Sequence, residues 1–330
     1  MRVSVEEFIA AGGLKTIVEG EPDDLLLVAY SFEPRSSTII SCLSKSYEAI
    51  VGVVYFNEEI LNPESPSSES SGYHDLRSGL AAQCHEVKTA KGSLLRPSVQ
   101  LESLRSIFSR KALDREAVKS ITIDATSFNR ETLLMLFGLF EVFFPRARTR
   151  VFYVSPVKYG DWLSAGFKQV RNVVGFAGLQ IPSRKTLLVV LYGFEHQRAL
   201  KTIEEYEPSK VLLGYGGTPT EIEFLKRNRE ELDKVQVKLM LSQQDVEDFE
   251  FPADSIAKCA DRLEQVVQPH LNEFNVVVAP MSTKLSTIAA YLVARRLPQI
   301  QVIYCVPGEY NIQGYSDGAK SVFTEELTLP

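Results

Sequence analysis

One ordered set of landmarks occurs twice in this chain, and it limits the available folds more than any other feature. "RVFYVSPVKYGDWLSAGFKQV" carries Tyr153, Pro156, Tyr159, Gly166, Lys168 and Val170. "QVIYCVPGEYNIQGYSDGAKSV" carries Tyr304, Pro307, Tyr310, Gly318, Lys320 and Val322. The spacings are 3, 3, 7, 2, 2 and 3, 3, 8, 2, 2, so one inserted residue reconciles them. Upstream, "LLLVAYSFEPR" stops at Tyr30-Ser31-Phe32-Glu33 and "LLVVLYGFEHQR" at Tyr192-Gly193-Phe194-Glu195. Tyr30 to Tyr153 is 123 residues and Tyr192 to Tyr304 is 112, so the first copy carries 11 more. The polar stretch "NPESPSSESSG", residues 62–72, lies inside it and can hold the difference. Its Ser, Pro and Glu content cannot build a core, which predicts a surface loop. The series points to a tandem duplication, with copies over 1–180 and 181–330 and "QIPSR" near the boundary.

Within the second copy, apolar runs at 186–192, 210–213, 235–240, 275–279 and 301–306 predict strands. Helical spacing follows at 221–232, 253–271 and 285–297. Thr218-Pro219-Thr220-Glu221 supplies a capping pattern for the first of these. The alternating stretch 319–327 predicts an added edge strand. The first copy repeats the order, with strands at 25–30, 50–56, 120–124 and 151–154 and helices including 98–109 and 131–143. Strands alternating with helices build βαβ units around a mostly parallel sheet. The expected fold is α/β: two tandem Rossmann-like doubly wound domains.

A net charge of −6 and a pI near 5.5 argue against a bulk electrostatic grip on nucleic acid or anionic membrane. No apolar run approaches the ~20 residues of a membrane span, and the N-terminus lacks a signal-peptide core. Cys42, Cys84, Cys259 and Cys305 form no CxxC pair and read as reduced thiols. A cytoplasmic protein is expected. His74, His85 and Cys84 cluster in sequence without a defensible zinc spacing, so no metal and no cofactor is expected. Neither GxSxG nor HExxH occurs, and catalytic residues stay unassigned. The acidic run 245–250, "DVEDFE", reads as a solvated turn.

Ligands of open parallel sheets bind beyond the carboxyl ends of the strands, near the switch in strand order. That rule selects a few loops. Gly214, Gly216, Gly217 and Thr218 can present backbone N–H groups to an anion, or simply make a tight turn and helix cap. Ser282 or Thr283 can cap the next helix, which puts Lys284 in its first turn, against the helix dipole. A bound anion would explain a cation there; a solvated lysine is the plainer alternative. Arg130, after Asn129, stands near the corresponding place in the first copy. Glu33 and Glu195 open the helices after the first strand of each copy. They can pair with Arg35 and Arg198, or reach ligand hydroxyls. Tyr310 and Asn311 can stack on and hydrogen-bond a base.

"NVVVAPMSTKLSTIAAYLVARRLPQIQVIYCVP" runs strand, small-residue loop with Ser/Thr-Lys, helix, and strand ending in a Tyr-containing loop. It resembles the CARF-type Rossmann-like domains of prokaryotic (CRISPR-associated or anti-phage) defence systems, most closely over 275–318. In the first copy the Ser-Thr-Lys element is replaced. The resemblance implies sensing of cyclic oligonucleotide messengers by two such domains, with ligand at their strand-end loops. With the duplicated strand-end loops and the cations at Arg130 and Lys284, the expected function is a nucleotide- or cyclic-oligonucleotide-binding protein that acts by binding rather than catalysis. Its output would come from a protein partner supplying effector activity, or from cleavage of the messenger by the domain itself. Two alternatives remain: a protein-interaction subunit of a defence complex, and an enzyme acting on a phosphate-containing nucleotide.

Overall fold

The computed structural model describes residues 2–60, 69–109, 116–217 and 222–329. β1 (Arg2–Ser4) and α1 (Val5–Ala10) precede β2 (Asp23–Ala29). A 3-10 turn at Pro34–Ser37 and α2 (Thr38–Cys42) lead to β3 (Ala49–Asn57). Then come α3 (Glu69–Ala81), β4 (Cys84–Gly92), α4 (Pro97–Ile107), β5 (Ser120–Asp124), α5 (Arg130–Phe143), β6 (Arg148–Ser155) and β7 (Lys158–Tyr159). β8 (Ser164–Asn172), β9 (Lys185–Tyr192), α6 (His196–Tyr206), β10 (Lys210–Gly216), α7 (Ile222–Leu241) and β11 (Asp245–Phe251) follow. The chain ends with α8 (Ile256–Val267), β12 (Phe274–Pro280), α9 (Lys284–Arg296), β13 (Gln301–Tyr310), β14 (Ser316–Asp317) and β15 (Ser321–Leu327).

These elements form two compact units, one of residues 1–160 with 312–329 and one of residues 161–311. The first unit's sheet has the order β1-β15-β6-β5-β2-β3-β4, the second β11-β10-β9-β12-β13-β8. Strands β4-β3-β2-β5-β6 run parallel, as do β11-β10-β9-β12-β13. Each parallel set is completed by an antiparallel strand, β15 on β6 and β8 on β13. The α/β class and mostly parallel, doubly wound sheets are therefore present. Strand order reverses between β2 and β5 in the first unit and between β9 and β12 in the second.

The completing strands do not follow chain proximity. β8 leaves β6 and β7 to join the second sheet; β15, at the end of the chain, joins the first. Val322 pairs with Val154 and Val170 with Cys305. The repeated landmarks thus belong to two strand pairs of the same kind, assembled from distant parts of the chain.

The central strands are apolar on both faces because helices cover both. Leu25, Leu26, Leu27 and Val28 of β2 are fully buried, as are Leu187 through Leu191 of β9. One core gathers Leu26, Val28, Val54, Phe56, Phe152 and Val154. The other gathers Leu188, Val190, Tyr192, Leu213, Val277 and Ile303.

Three expectations need correction. Residues 235–240 are not a strand but the end of α7, which buries Asn228, Leu232, Val235 and Leu239 at helical spacing. Over six residues "VQVKLM" imitates alternation; over the whole helix the 3.6 period governs. The acidic run 245–250 is not a turn but strand β11, an outer strand that buries Phe249 and Phe251. Charge is what keeps such an edge soluble. Finally, 319–327 holds a strand, but it lies inside the first sheet between β1 and β6. Of the stretch 62–72, residues 62–68 lie outside the described residues, and α3 already begins at Glu69. The capping pattern 218–221 also lies outside them. No helix among the described residues is long and apolar enough to cross a membrane.

Candidate functional site: the strand-end loops

The loops after β2 and β9 reach the switch points, and in both the glutamate meets an arginine. Glu33 precedes the 3-10 turn and Glu195 precedes α6, yet neither carboxylate caps its helix. Glu33 instead binds the Arg35 guanidinium, with both side chains almost wholly buried. Glu195 binds Arg198 at 3.1 Å, again with both buried. A serine from the segment leading into or out of a completing strand joins each pair. Ser316 donates to Glu33 Oε2 at 3.0 Å, and Ser164 donates to Glu195. Arg35 Nη1 donates to the Val154 carbonyl at 2.6 Å, and Arg198 Nη1 to Ser164 Oγ at 3.1 Å. Tyrosine hydroxyls stand 3.3 Å apart beside each group, Tyr153 with Tyr159 and Tyr304 with Tyr310.

Burial is the largest single effect on Arg35 and Arg198 and works against their charge, but Glu33 or Glu195 together with the neighbouring tyrosines, and Cys305 beside Arg198, outweigh it and hold both guanidiniums protonated. Removing one partner of such a pair strands a charge away from water, a loss of about 3–5 kcal/mol.

The loops after β5 and β12 close the switch points. Asn129 Oδ1 accepts from Thr132 N at 2.8 Å, and Thr283 Oγ1 accepts from Ser286 N at 3.1 Å. With those caps, Arg130 and Lys284 are each the first residue of their helix. Helix N-termini favour anions. In the second unit the two loops touch: a Cβ on Gly193 would lie 2.9 Å from the Met281 carbonyl oxygen and 3.3 Å from Ser282 Cα. Only glycine permits that approach.

In the first unit β5 ends on Asp124, a wholly buried carboxyl that accepts from the Thr126 backbone N–H at 2.9 Å and from its hydroxyl. Burial pushes its pKa up to about 7, against the opposing pull of the Thr126 bonds and Arg35.

In the second unit α7 lies over the β9 loop. Arg227 stacks 4.6 Å from the Phe194 ring centroid and donates to the Asp161 carbonyl at 2.9 Å. In the amide orientation its neighbours require, Asn228 donates to Gly193 O (3.0 Å) and accepts from Gly216 N (3.2 Å). Glu231 holds His196 Nδ1 at 2.5 Å, and Phe224 packs on Phe194. Beneath them Tyr192 is buried, with no hydrogen-bond partner for its hydroxyl among the described residues. Burial, then Glu231 and Glu195, raise its pKa.

The sequence-derived candidates fall into several places. Glu195 and Tyr310 lie around Arg198. Glu33 lies in the matching group of the first unit, and Arg130 and Lys284 open equivalent helices. Gly214 and Gly216 are strand residues of β10, packed under Phe249 and Ala253 respectively. Gly217 N donates to the Phe251 carbonyl at 2.9 Å. Thr218 lies outside the described residues. Asn311 bonds the Leu163 and Trp162 carbonyls, at 2.9 Å from its N and 3.0 Å from its Nδ2. Sequence reasoning missed Ser164, Ser316, Asp124, His196 and Asn228. The two serines carried a signal, since each stands two residues before a repeated glycine, Gly166 or Gly318. Among the described residues no group of three or more His, Cys, Asp or Glu could hold a metal ion.

No family model and no curated protein matches the sequence. Among solved structures, a chain described as a Type III CRISPR defence DNA nuclease activated by cyclic oligoadenylate is similar in fold. The TM-score is 0.53 at 10% identity, over 91% of this chain and 68% of that one. A chain described as AtPrR2 with NADP+ and (+)pinoresinol aligns over 74% of this chain and 83% of its own at 12% identity. Its TM-score of 0.25 is too low to carry an argument.

Proposed function

We propose that this chain binds a nucleotide or cyclic oligonucleotide at its strand-end loops and serves a prokaryotic defence system by binding rather than catalysis. The observation that carries the reading is the pair of switch points, each followed by a helix whose first residue is a cation, Arg130 or Lys284. Backbone N–H groups with a cation at a helix start suit a phosphate. The fold shared with a cyclic-oligoadenylate-activated nuclease supports the same ligand class. The matched ion pairs, tyrosine pairs and strand orders support an internal duplication, with each copy contributing one loop set.

Calorimetric titration with cyclic oligoadenylates and common nucleotides tests this. Saturable binding weakened about tenfold or more by Arg130→Gln or Lys284→Gln is expected. Binding unaffected by both substitutions, or no binding to any of these ligands, sinks it.

A protein-interaction role is the second reading. Val237, Met240 and Leu241 of α7 are 58%, 65% and 81% exposed at i, i+3, i+4 spacing, an apolar stripe that fits a partner surface. A partner that supplies effector activity would be captured by the wild type and lost with Met240→Glu; retention by that variant argues against the stripe.

A further inference from the structure

The two β2- and β9-type loops differ in what lies over them. In the first unit a cavity of about 330 Å³ opens beside Tyr30, Ser31, Phe32, Glu33, Ser36 and Ser37. Among the described residues α3 contributes Gly72 to its lining, and a Cβ there would already sit 3.1 Å from the Tyr30 hydroxyl. In the second unit α7 sets Phe224, Arg227, Asn228 and Glu231 against Phe194, Gly193 and His196. Among the described residues, one loop is met by a residue without a side chain; the other is engaged by four side chains.

The lining also selects chemistry. It holds hydroxyls from Ser31, Ser36 and Ser37, an aromatic ring from Phe32 and apolar surface from Pro34 and Ile312. Among the described residues its one ionised lining group is Glu33, already paired with Arg35 and bonded by Ser316. Among the described residues no lysine or arginine lines it and Arg35 is taken up by Glu33, so a phosphate would meet a carboxylate and no spare cation. A neutral ligand with one planar apolar face and several hydroxyls matches. The volume stands at the lower end of small-molecule pockets, ~300–1,000 Å³, which suits one nucleoside rather than an oligonucleotide.

We infer that ligand recognition is asymmetric: the first unit alone takes a ribonucleoside moiety, in the cavity beside Ser31, Ser36 and Ser37, while α7 closes the matching loop of the second. This deepens the nucleotide-binding reading and rests on it for the biological ligand, though the cavity is tested without it.

The test is titration of the whole chain with adenosine, guanosine, cytidine and uridine, and separately with inorganic phosphate. At least one nucleoside is expected to bind at one per chain, with no competition from phosphate. Ser37→Trp, placed at the cavity mouth, should weaken that binding at least tenfold. Ser31→Ala with Ser37→Ala, which removes hydroxyls without adding bulk, should weaken it several-fold. Phe224→Ala, in the second unit, should leave it unchanged. Two nucleosides per chain, binding insensitive to both cavity variants with native circular dichroism, or no nucleoside binding overturns the assignment. If cyclic oligoadenylate binds wild type and Ser37→Trp alike, the cavity assignment falls and the proposed function stands. If nucleoside binds as expected but no cyclic oligoadenylate binds, the cavity stands and the broader reading falls.

Discussion

Asp124→Asn should stabilise the chain above neutral pH and remove part of its pH dependence. Asp124 is fully buried at the end of β5, and its pKa rises from 3.8 to about 7, chiefly through burial. A raised carboxyl pKa makes the folded state bind a proton that the unfolded state has already released between those two values. Stability therefore falls as pH rises from about 4 to about 7 and is level above. At ~1.36 kcal/mol per unit, the full cost of ionising this group in place is on the order of 4 kcal/mol. Between pH 5 and pH 8 the share is about 2–3 kcal/mol. Asparagine keeps an acceptor for the Thr126 N–H and hydroxyl and carries no charge. The sole tryptophan, Trp162, is in the second unit, so scanning calorimetry is the better assay for a residue of the first. For a unit of this size 1 kcal/mol moves the midpoint by roughly 2–4 °C. The wild type should lose roughly 4–12 °C more than Asp124→Asn on going from pH 5 to pH 8. Parallel pH profiles for the two proteins would refute the argument that burial, rather than the Arg35 charge beside it, sets this carboxyl.

Arg198→Met should cost about 3–5 kcal/mol by leaving Glu195 buried without its partner, while Arg198→Met with Glu195→Gln recovers most of the loss; a double-mutant cycle of denaturation midpoints reads the coupling. Gly92→Ala should be strongly destabilising, because its Cβ would lie 2.0 Å from the Tyr55 hydroxyl that donates to Gln100 at 2.7 Å. Its denaturation midpoint against wild type checks this. All four cysteines are buried, and burial lifts Cys42 and Cys84 to about 11. The native chain should resist a thiol reagent at pH 8 and react at four sites once unfolded, counted by mass.

The parallel cores were legible because β2 and β9 are buried on both faces and read as unbroken apolar runs, which only a covered sheet tolerates. Edges were harder to read. β11 buries Phe249 and Phe251 on one face but otherwise shows water its acids, so its pattern imitates a loop. The helix α7 failed for the opposite reason: its last turns expose Val237, Met240 and Leu241, and surface apolar residues blur the 3.6 period that Leu232, Val235 and Leu239 keep. At the candidate site, Arg35 and Arg198 could be suggested as partners of Glu33 and Glu195 because they are two and three residues away. Asn228, and the Glu231 that holds His196, could not, since nothing local ties a residue of α7 to a loop more than thirty residues earlier.

The exchange of the completing strands shows where sequence patterning stops. Alternation says that 164–172 and 321–327 are extended and which residues face inward; it does not say which sheet receives them. The repeat contained the missing information in another form. If Gly166 and Gly318 occupy equivalent places, so do Ser164 and Ser316, and each serine is hydrogen-bonded to a strand-end glutamate. Ser164 lies in the part of the chain that follows Glu33, yet it bonds Glu195; Ser316 follows Glu195 and bonds Glu33. A strand that stayed with the half of the chain it follows would put each serine on the earlier strand-end glutamate that last precedes it, Glu33 for Ser164 and Glu195 for Ser316. The crossed bonding means that each buried Glu–Arg pair is completed only when the chain's other half has delivered its strand. The glutamates that a ligand reading places at the binding loops are thus also the groups that report correct assembly of the two sheets.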